Sequence, residues 1–251
     1  MPDSTLFNIL WVVINGSPAE QDAALVTAIA HLQSLSSPDA GNQLTYQDGD
    51  SWGVLDLLAW RFSEYEQAAA FLSLIIERGR ESCGTTALVS ITNNQGETPL
   101  HLFACNCYDL SLTKVVLREF PPSLTVLSNF GETPLQYAEI EHGTTSENAV
   151  FFRAASDAFR ASNFVSLQAL CGSSPFLSRE IHMQAIALRA AVAISLNKQE
   201  AAPSALSSLE SGVALSLLGR LRDFGRVGNS SDLLRVVLQY VGPYASSCDA
   251  D

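Results

Sequence analysis

Four histidines and five cysteines are the residues of this chain most suited to chemistry, and their spacing completes no site. His31, His101, His142 and His182 lie far apart, and no two have the spacing that puts a pair of metal ligands on one helix face. Cys105-x-Cys107 brings two thiols close, but no second Cys/His pair follows to close a tetrahedral zinc site. Cys105 follows Ala104 in an apolar run and reads as a core thiol. With Cys83, Cys171 and Cys248 the set is odd in number and irregular in spacing, a poor disulfide framework. Glu139, Glu141 and His142 gather near one expected helix end without a fourth ligand. Arg220, Arg222 and Arg226, with Asp223 among them, suit a solvated face better than an anion site. There is no Gly-x-Ser-x-Gly elbow, no Gly-rich loop ending in Lys-Ser/Thr and no His-Glu-x-x-His. Acidic side chains are plentiful, yet none is set apart as a general acid/base pair. The expectation is a chain with no catalytic residue, no cofactor and no metal.

Charge narrows the partners. The net charge is -12, and the 14 Lys and Arg residues among 251 do not begin until Arg61. A phosphate backbone requires clustered cations, so nucleic acid is excluded as an expected partner. Residues 6–14 are apolar, but they are too short to span a bilayer, contain Asn8 and lack a preceding basic region. No membrane contact is expected, and the chain reads as intracellular and cytoplasmic. The sequons at Asn15 and Asn229 would matter only in a secreted chain. A hydrophobic content of 47% suffices for a continuous core.

The elements that position these side chains are organised around one repeated stretch. Residues 93–104 read NNQGETPLHLFA and residues 129–138 read NFGETPLQYA, with Gly96 and Gly131 separated by 35 positions. Glycine suits a turn that needs positive φ. Thr98 can cap the helix that begins at once, and Pro99 occupies its first position, where a missing N–H costs nothing. Leu100 and Ala104 share one helix face, and the small alanine admits a close neighbour. Repetition at this period marks a stacked architecture in which each unit buries its apolar face against the next.

Thr98-Pro99-Leu100-His101 with Ala104 resembles the ankyrin repeat, and Thr133-Pro134-Leu135 with Ala138 matches again, Gln136 standing where His would be. The resemblance implies an all-α, helix-turn-helix solenoid with divergent outer repeats and a helical C-terminal cap. It also implies that His101 is structural, bonding backbone or the Thr hydroxyl and holding adjacent repeats together. Residues 1–163 are expected to be the array, degenerate at its N-terminal part, and residues 164–251 its helical continuation or cap.

The outer units follow the same frame. Ser17-Pro18-Ala19-Glu20 spells a cap, a helix-starting proline and an acidic capping-box residue, opening a helix to about residue 35. Residues 36–50 are polar and read as an inserted loop. Val54-Leu55-Asp56-Leu57-Leu58-Ala59 can be laid on Pro99-Leu100-His101-Leu102-Phe103-Ala104, with Asp56 in the polar slot. Second helices are expected at about 64–78, 110–120 and 146–159. Residues 81–91, with Val89 and Ile91 alternating with polar neighbours, read as extended. Ser174-Pro175 opens a long helix, residues 199–204 break it, and 205–224 and 231–241 form a final pair.

With no chemistry to assign, binding remains. Stacked repeats expose a concave face built from turn tips and first helices. The candidate partner-binding residues are the tips Asp48, Asp50, Trp52, Gln95, Glu97, Phe130 and Glu132. Phe130 and Trp52 are the aromatic candidates for anchoring a hot spot, with Trp52 equally suited to packing beneath the preceding loop. The expectation is a non-enzymatic scaffold that holds a protein partner, and the acidic tips fit a basic one. Two alternatives stay open. One is an enzyme whose dispersed residues lie in the C-terminal half, around His182. The other is a structural assembly unit with a large apolar patch on an end helix.

Overall fold

The computed structural model describes residues 4–195. The expected helix pair at 205–224 and 231–241, the break at 199–204, the Arg220–Arg226 cluster, Asn229 and Cys248 lie outside the described residues, as does most of the expected C-terminal cap. Contacts divide the chain into two units, Met1–Ser178 and Arg179–Asp251. Of the second, the described part is the continuation of one helix. The first is an all-α body with no strand among the described residues.

Helices α1 (Thr5–Trp11), α2 (Pro18–Ser34) and α3 (Ser37–Leu44) lead into a short α4 (Val54–Leu57), which continues as a π-helical turn at Leu58–Phe62. Then come α5 (Ala68–Ser82), α6 (Thr85–Val89), α7 (Pro99–Asn106), α8 (Leu110–Glu119) and a 3-10 turn at Pro121–Thr125. The series ends with α9 (Pro134–His142), α10 (Glu147–Arg160), α11 (Phe164–Cys171) and α12 (Pro175–Ser195). No helix among the described residues is long and apolar enough to cross a membrane.

Neighbours fall into two rows. In one, α1 packs on α4, α4 and the π turn pack on α7, and α7 packs on α9. In the other, α2 packs on α5, α5 on α8 and α8 on α11. The largest enclosed side chains include Phe62, Phe71, Phe103 and Phe152 with Leu6, Leu25, Leu72 and Ile75. The expected boundary at 163/164 falls between α10 and α11, which pack on each other inside the first unit.

Helix starts follow local chemistry. The Ser17 N–H donates to the Glu20 carboxylate (2.6 Å), and the Glu20 N–H points back at Ser17 Oγ (3.4 Å). The Ser17 N–H and the Ser17 hydroxyl, which donates to the same carboxylate at 2.8 Å, hold the Glu20 carboxyl below its usual range. Ser17→Ala is expected to cost about 1 kcal/mol in urea denaturation, the ordinary value of a cap; an unchanged midpoint would show that α2 is held by packing alone. Asp109, Ser146 and Asn163 cap α8, α10 and α11 by accepting a first-turn N–H, without the reciprocal bond.

Two expectations are corrected. Residues 36–50 are not a loop throughout, because α3 occupies Ser37–Leu44. Ser36 caps it, and Ala40, Gly41, Gln43 and Leu44 are buried. Packing here is done by small and polar residues: Gly41 backs onto Ser82 of α5, and the Gln43 side chain receives the Leu6 N–H (2.9 Å). Residues 81–91 are likewise not extended. Leu88 and Val89 are adjacent and both buried, and they sit on α6 against α5 and α8, where a strand with one solvent face would bury only alternate residues.

Candidate partner-binding loops

Three loops precede α4, α7 and α9, at residues 48–52, 93–97 and 128–132, and each is closed by its own first residue. In loop 1 the Asp48 N–H donates to the Trp52 carbonyl (3.0 Å) and the Ser51 N–H to the Asp48 carbonyl (3.1 Å). Loop 2 repeats both bonds as Asn93 to Glu97 (3.0 Å) and Gly96 to Asn93 (2.9 Å). Loop 3 has Ser128 to Glu132 and Gly131 to Ser128, both 2.9 Å. The leading side chain then accepts two further backbone N–H groups. Asp48 Oδ1 takes those of Asp50 (2.9 Å) and Trp52 (2.8 Å), and Asn93 Oδ1 those of Gln95 (2.9 Å) and Glu97 (3.0 Å). Ser128 Oγ takes those of Phe130 (3.3 Å) and Glu132 (3.4 Å). The fourth residue has positive φ each time, +61° at Ser51, +72° at Gly96 and +79° at Gly131. A non-glycine residue tolerates this less readily, and the absence of glycine at 51 hides loop 1 in the sequence.

The loops are joined to one another. The Asn94 N–H donates to the Asp50 carbonyl (3.1 Å), and the equivalent Asn129 N–H donates to the Gln95 carbonyl (2.8 Å). Their side chains add Asn94 Nδ2 to Asp50 Oδ1 (3.2 Å) and Asn129 Nδ2 to the Asn94 carbonyl (2.9 Å). Of the leading residues only Asp48 belongs to the candidate set; Asn93, Ser128 and the linking Asn94 and Asn129 are absent from it. Their signal is a short polar residue five positions before the helix cap: Asp48 before Gly53, Asn93 before Thr98, Ser128 before Thr133.

Below each loop, the third helical residue turns back to the cap. His101 Nδ1 accepts the Thr98 N–H (3.0 Å), and its Nε2–H reaches the Glu132 carbonyl of the next loop (3.1 Å). The ring is fully buried, and burial lowers its pKa. It is therefore a neutral imidazole with both nitrogens engaged, which leaves nothing for a ligand or a proton transfer. Gln136 performs only the first half of the role, its Oε1 receiving the Thr133 N–H (2.8 Å). At the first loop Asp56 Oδ2 receives the Gly53 N–H (2.8 Å).

The candidate residues divide by exposure. Asp50, Gln95 and Phe130 project from the loops, Phe130 with 68% of its surface exposed. Asp48 and Glu132 are half-buried. Trp52 is half-buried against Trp60, ring centroids 5.1 Å apart, and the Arg61 guanidinium lies 4.5 Å from the Trp60 centroid. Glu97 faces inward, its carboxylate receiving Asn93 Nδ2 and the Tyr137 hydroxyl at 2.7 Å each. Burial, chiefly, raises the Tyr137 pKa to about 12. Leu127 adds an exposed apolar side chain beside loop 3 that the candidate set omits. No Lys or Arg occurs in any of the three loops.

Elsewhere the chemistry-bearing residues are engaged or insulated. Glu139 pairs with Arg153 (2.5 Å), and the His142 ring meets the edge of Tyr108. Among the described residues no group of three His, Cys, Asp or Glu side chains is placed to hold a metal. Cys105 is only half-buried, and Cys107 is the fully enclosed thiol of the pair. Burial pushes both thiols up, Cys107 to about 12, and Cys171 to about 11. Thiolate chemistry is suppressed at all three.

Searches against protein-family models, curated proteins and solved structures find no significant match to this chain.

Proposed function

We propose that the first unit is an ankyrin-like array of helix-turn-helix repeats whose stacked loops bind a protein partner, without enzymatic activity of its own. The supporting observation is the set of three loops with one hydrogen-bond pattern, tied in series through Asp50–Asn94 and Gln95–Asn129. A backbone this constrained loses little freedom on binding, so its side chains are presented at low entropic cost. The third residue of each loop is exposed: Asp50, Gln95 and Phe130. In this reading Phe130 is the apolar anchor, with Leu127 beside it, and Asp50, Asp48 and Glu132 supply acidic surroundings for a basic partner. The two rows of packed helices serve as the scaffold, and the cytoplasm is the compartment that suits four described free thiols.

The test is capture from a cell extract with the unmodified chain, Phe130→Ala, and Phe130→Ala combined with Asp50→Lys. Circular dichroism and Tm are matched first. Phe130→Ala is expected to weaken a retained partner by about 2 kcal/mol, roughly 30-fold, with no loss of stability. Charge reversal at Asp50 should weaken it further and flatten its salt dependence. Equal capture by all three chains would remove the loops as the binding surface.

A further inference from the structure

The polar slot beneath loop 1 is filled by Asp56, which is 1% exposed. Its two oxygens are unequal. Oδ2 accepts the Gly53 N–H at 2.8 Å, as His101 Nδ1 accepts the Thr98 N–H. Oδ1 is buried and accepts no hydrogen bond. At the next junction the corresponding second atom is His101 Nε2, a donor to the Glu132 carbonyl. The counterpart of Glu132 in loop 2 is Glu97, whose carbonyl receives the Asn93 N–H (3.0 Å) as that of Glu132 receives the Ser128 N–H. A carbonyl has two lone pairs, so one remains at Glu97.

The charges around Asp56 oppose a carboxylate. Glu97 on loop 2 and Asp48 on loop 1 act on it, both acidic. Of the elements packed on α4, α1 carries no charged residue, the π turn carries only the exposed Arg61 on Trp60, and α7 carries the neutral His101 and the protonated Cys105. Burial is the largest cause moving the Asp56 carboxyl up, to about 7.

We propose that Asp56 is held as a neutral carboxylic acid whose Oδ1–H donates to the Glu97 carbonyl, and that its ionisation on raising the pH loosens loop 1 from loop 2. The acid does at the first junction what the imidazole does at the second. The imidazole stays neutral as pH rises; the acid does not. A proton leaving Oδ1 removes the donor and places a buried negative charge beside Glu97. The junction between 48–52 and 93–97 is thus sensitive to pH near neutrality, while that between 93–97 and 128–132 is not. This device stands whether or not the loops bind a partner.

The sign follows from the raised value. The folded state keeps its proton between the ordinary Asp value of 3.8 and about 7, so the stability from this group is complete below that window and is lost as pH rises through it. The first experiment is carbon NMR of the full chain labelled at Asp carboxyls, with Asp56→Asn used for assignment. The Asp56 signal is expected to titrate with a midpoint near 7; a midpoint near 4 overturns the proposal. Asp56→Asn keeps both an acceptor for Gly53 and a donor for Glu97 but cannot ionise. Relative to the unmodified chain, it is expected to gain about 5 °C in Tm on going from pH 4 to pH 8.5, and a difference that does not vary with pH overturns it. Amide exchange, corrected for intrinsic rates, reads the junctions separately. Asn94 should lose protection above pH 7 and Asn129 should keep it; equal behaviour removes the loosening.

Discussion

Gly96→Ala lowers stability by about 3 kcal/mol, whereas Gly131→Ala, in the same Gly-Glu-Thr-Pro-Leu motif, costs about 1 kcal/mol. Both glycines have left-handed φ, so both substitutions carry a backbone penalty. The difference lies in what a Cβ would meet. At Gly96 it would stand 2.6 Å from Asn129 Oδ1 and 2.9 Å from Asn129 N, within the contact that joins loop 2 to loop 3. Backbone and side chain must both retreat, and the hydrogen bonds from Asn129 to Gln95 and Asn94 go with them. At Gly131 a Cβ meets nothing within 4 Å. Urea denaturation of the two single variants measures the gap, and equal costs would mean that the loops are not held at this separation. The double variant Gly96→Ala with Asn129→Ala should recover part of the loss by removing the clashing amide.

His101→Ala costs about 3 kcal/mol, and His101→Gln about half as much. The alanine variant removes two hydrogen bonds of about 1 kcal/mol each, strands the Thr98 N–H and leaves a cavity in a fully enclosed site. Gln136 indicates what glutamine can do there: it satisfies the cap N–H locally. Such a variant retains the helix start and gives up the reach to Glu132. A His101→Gln variant as unstable as His101→Ala would show that the bridge, not the cap, carries the energy. The imidazole also has a pH signature opposite to that of Asp56. Its folded pKa lies below the ordinary 6.5, so the unfolded chain takes up the proton first. Its contribution is complete above 6.5 and is lost as pH falls through the lowered folded value. Stability plotted against pH should bend downward on the acid side, and His101→Gln should straighten that limb.

Much of the local structure was legible in residue types. Ser17-Pro18-Ala19-Glu20 and Thr133-Pro134 mark helix starts because a cap oxygen and a proline act on their own few residues. At Thr98-Pro99 the proline does so, and the Thr98 hydroxyl meets His101 Nδ1 instead of a helix N–H. The structural role of His101 was implied by the ankyrin resemblance, and its two bonds agree with it. The all-helical character was likewise readable from apolar spacing. Other features were not. Helix α3 hid in a polar segment because its contacts are made by Ala40, Gly41 and Gln43, residues whose type carries no hydrophobic signal. The short α6 was misread because Leu88 and Val89 are buried by α5 and α8, neighbours distant in the chain.

The candidate loops divide along the same line. Their turn chemistry is local and therefore written in Gly96, Gly131 and the polar residues that lead each loop. Which way each side chain faces is a property of the stack. Glu97 and Glu132 occupy the same place in the motif, yet Glu97 is buried because Tyr137 from α9 lies over it, while Glu132 is half-buried. The sequence lays Asp56 on the polar slot held by His101, and enclosure of α4 by α1 and α7 is what buries a carboxyl there. By itself the sequence determined where helices begin, which stretch is repeated and that no catalytic motif is written in it. The tertiary structure decided which acids are inside, how the loops are tied and which aromatic ring is left in water, since these depend on contacts between residues tens of positions apart.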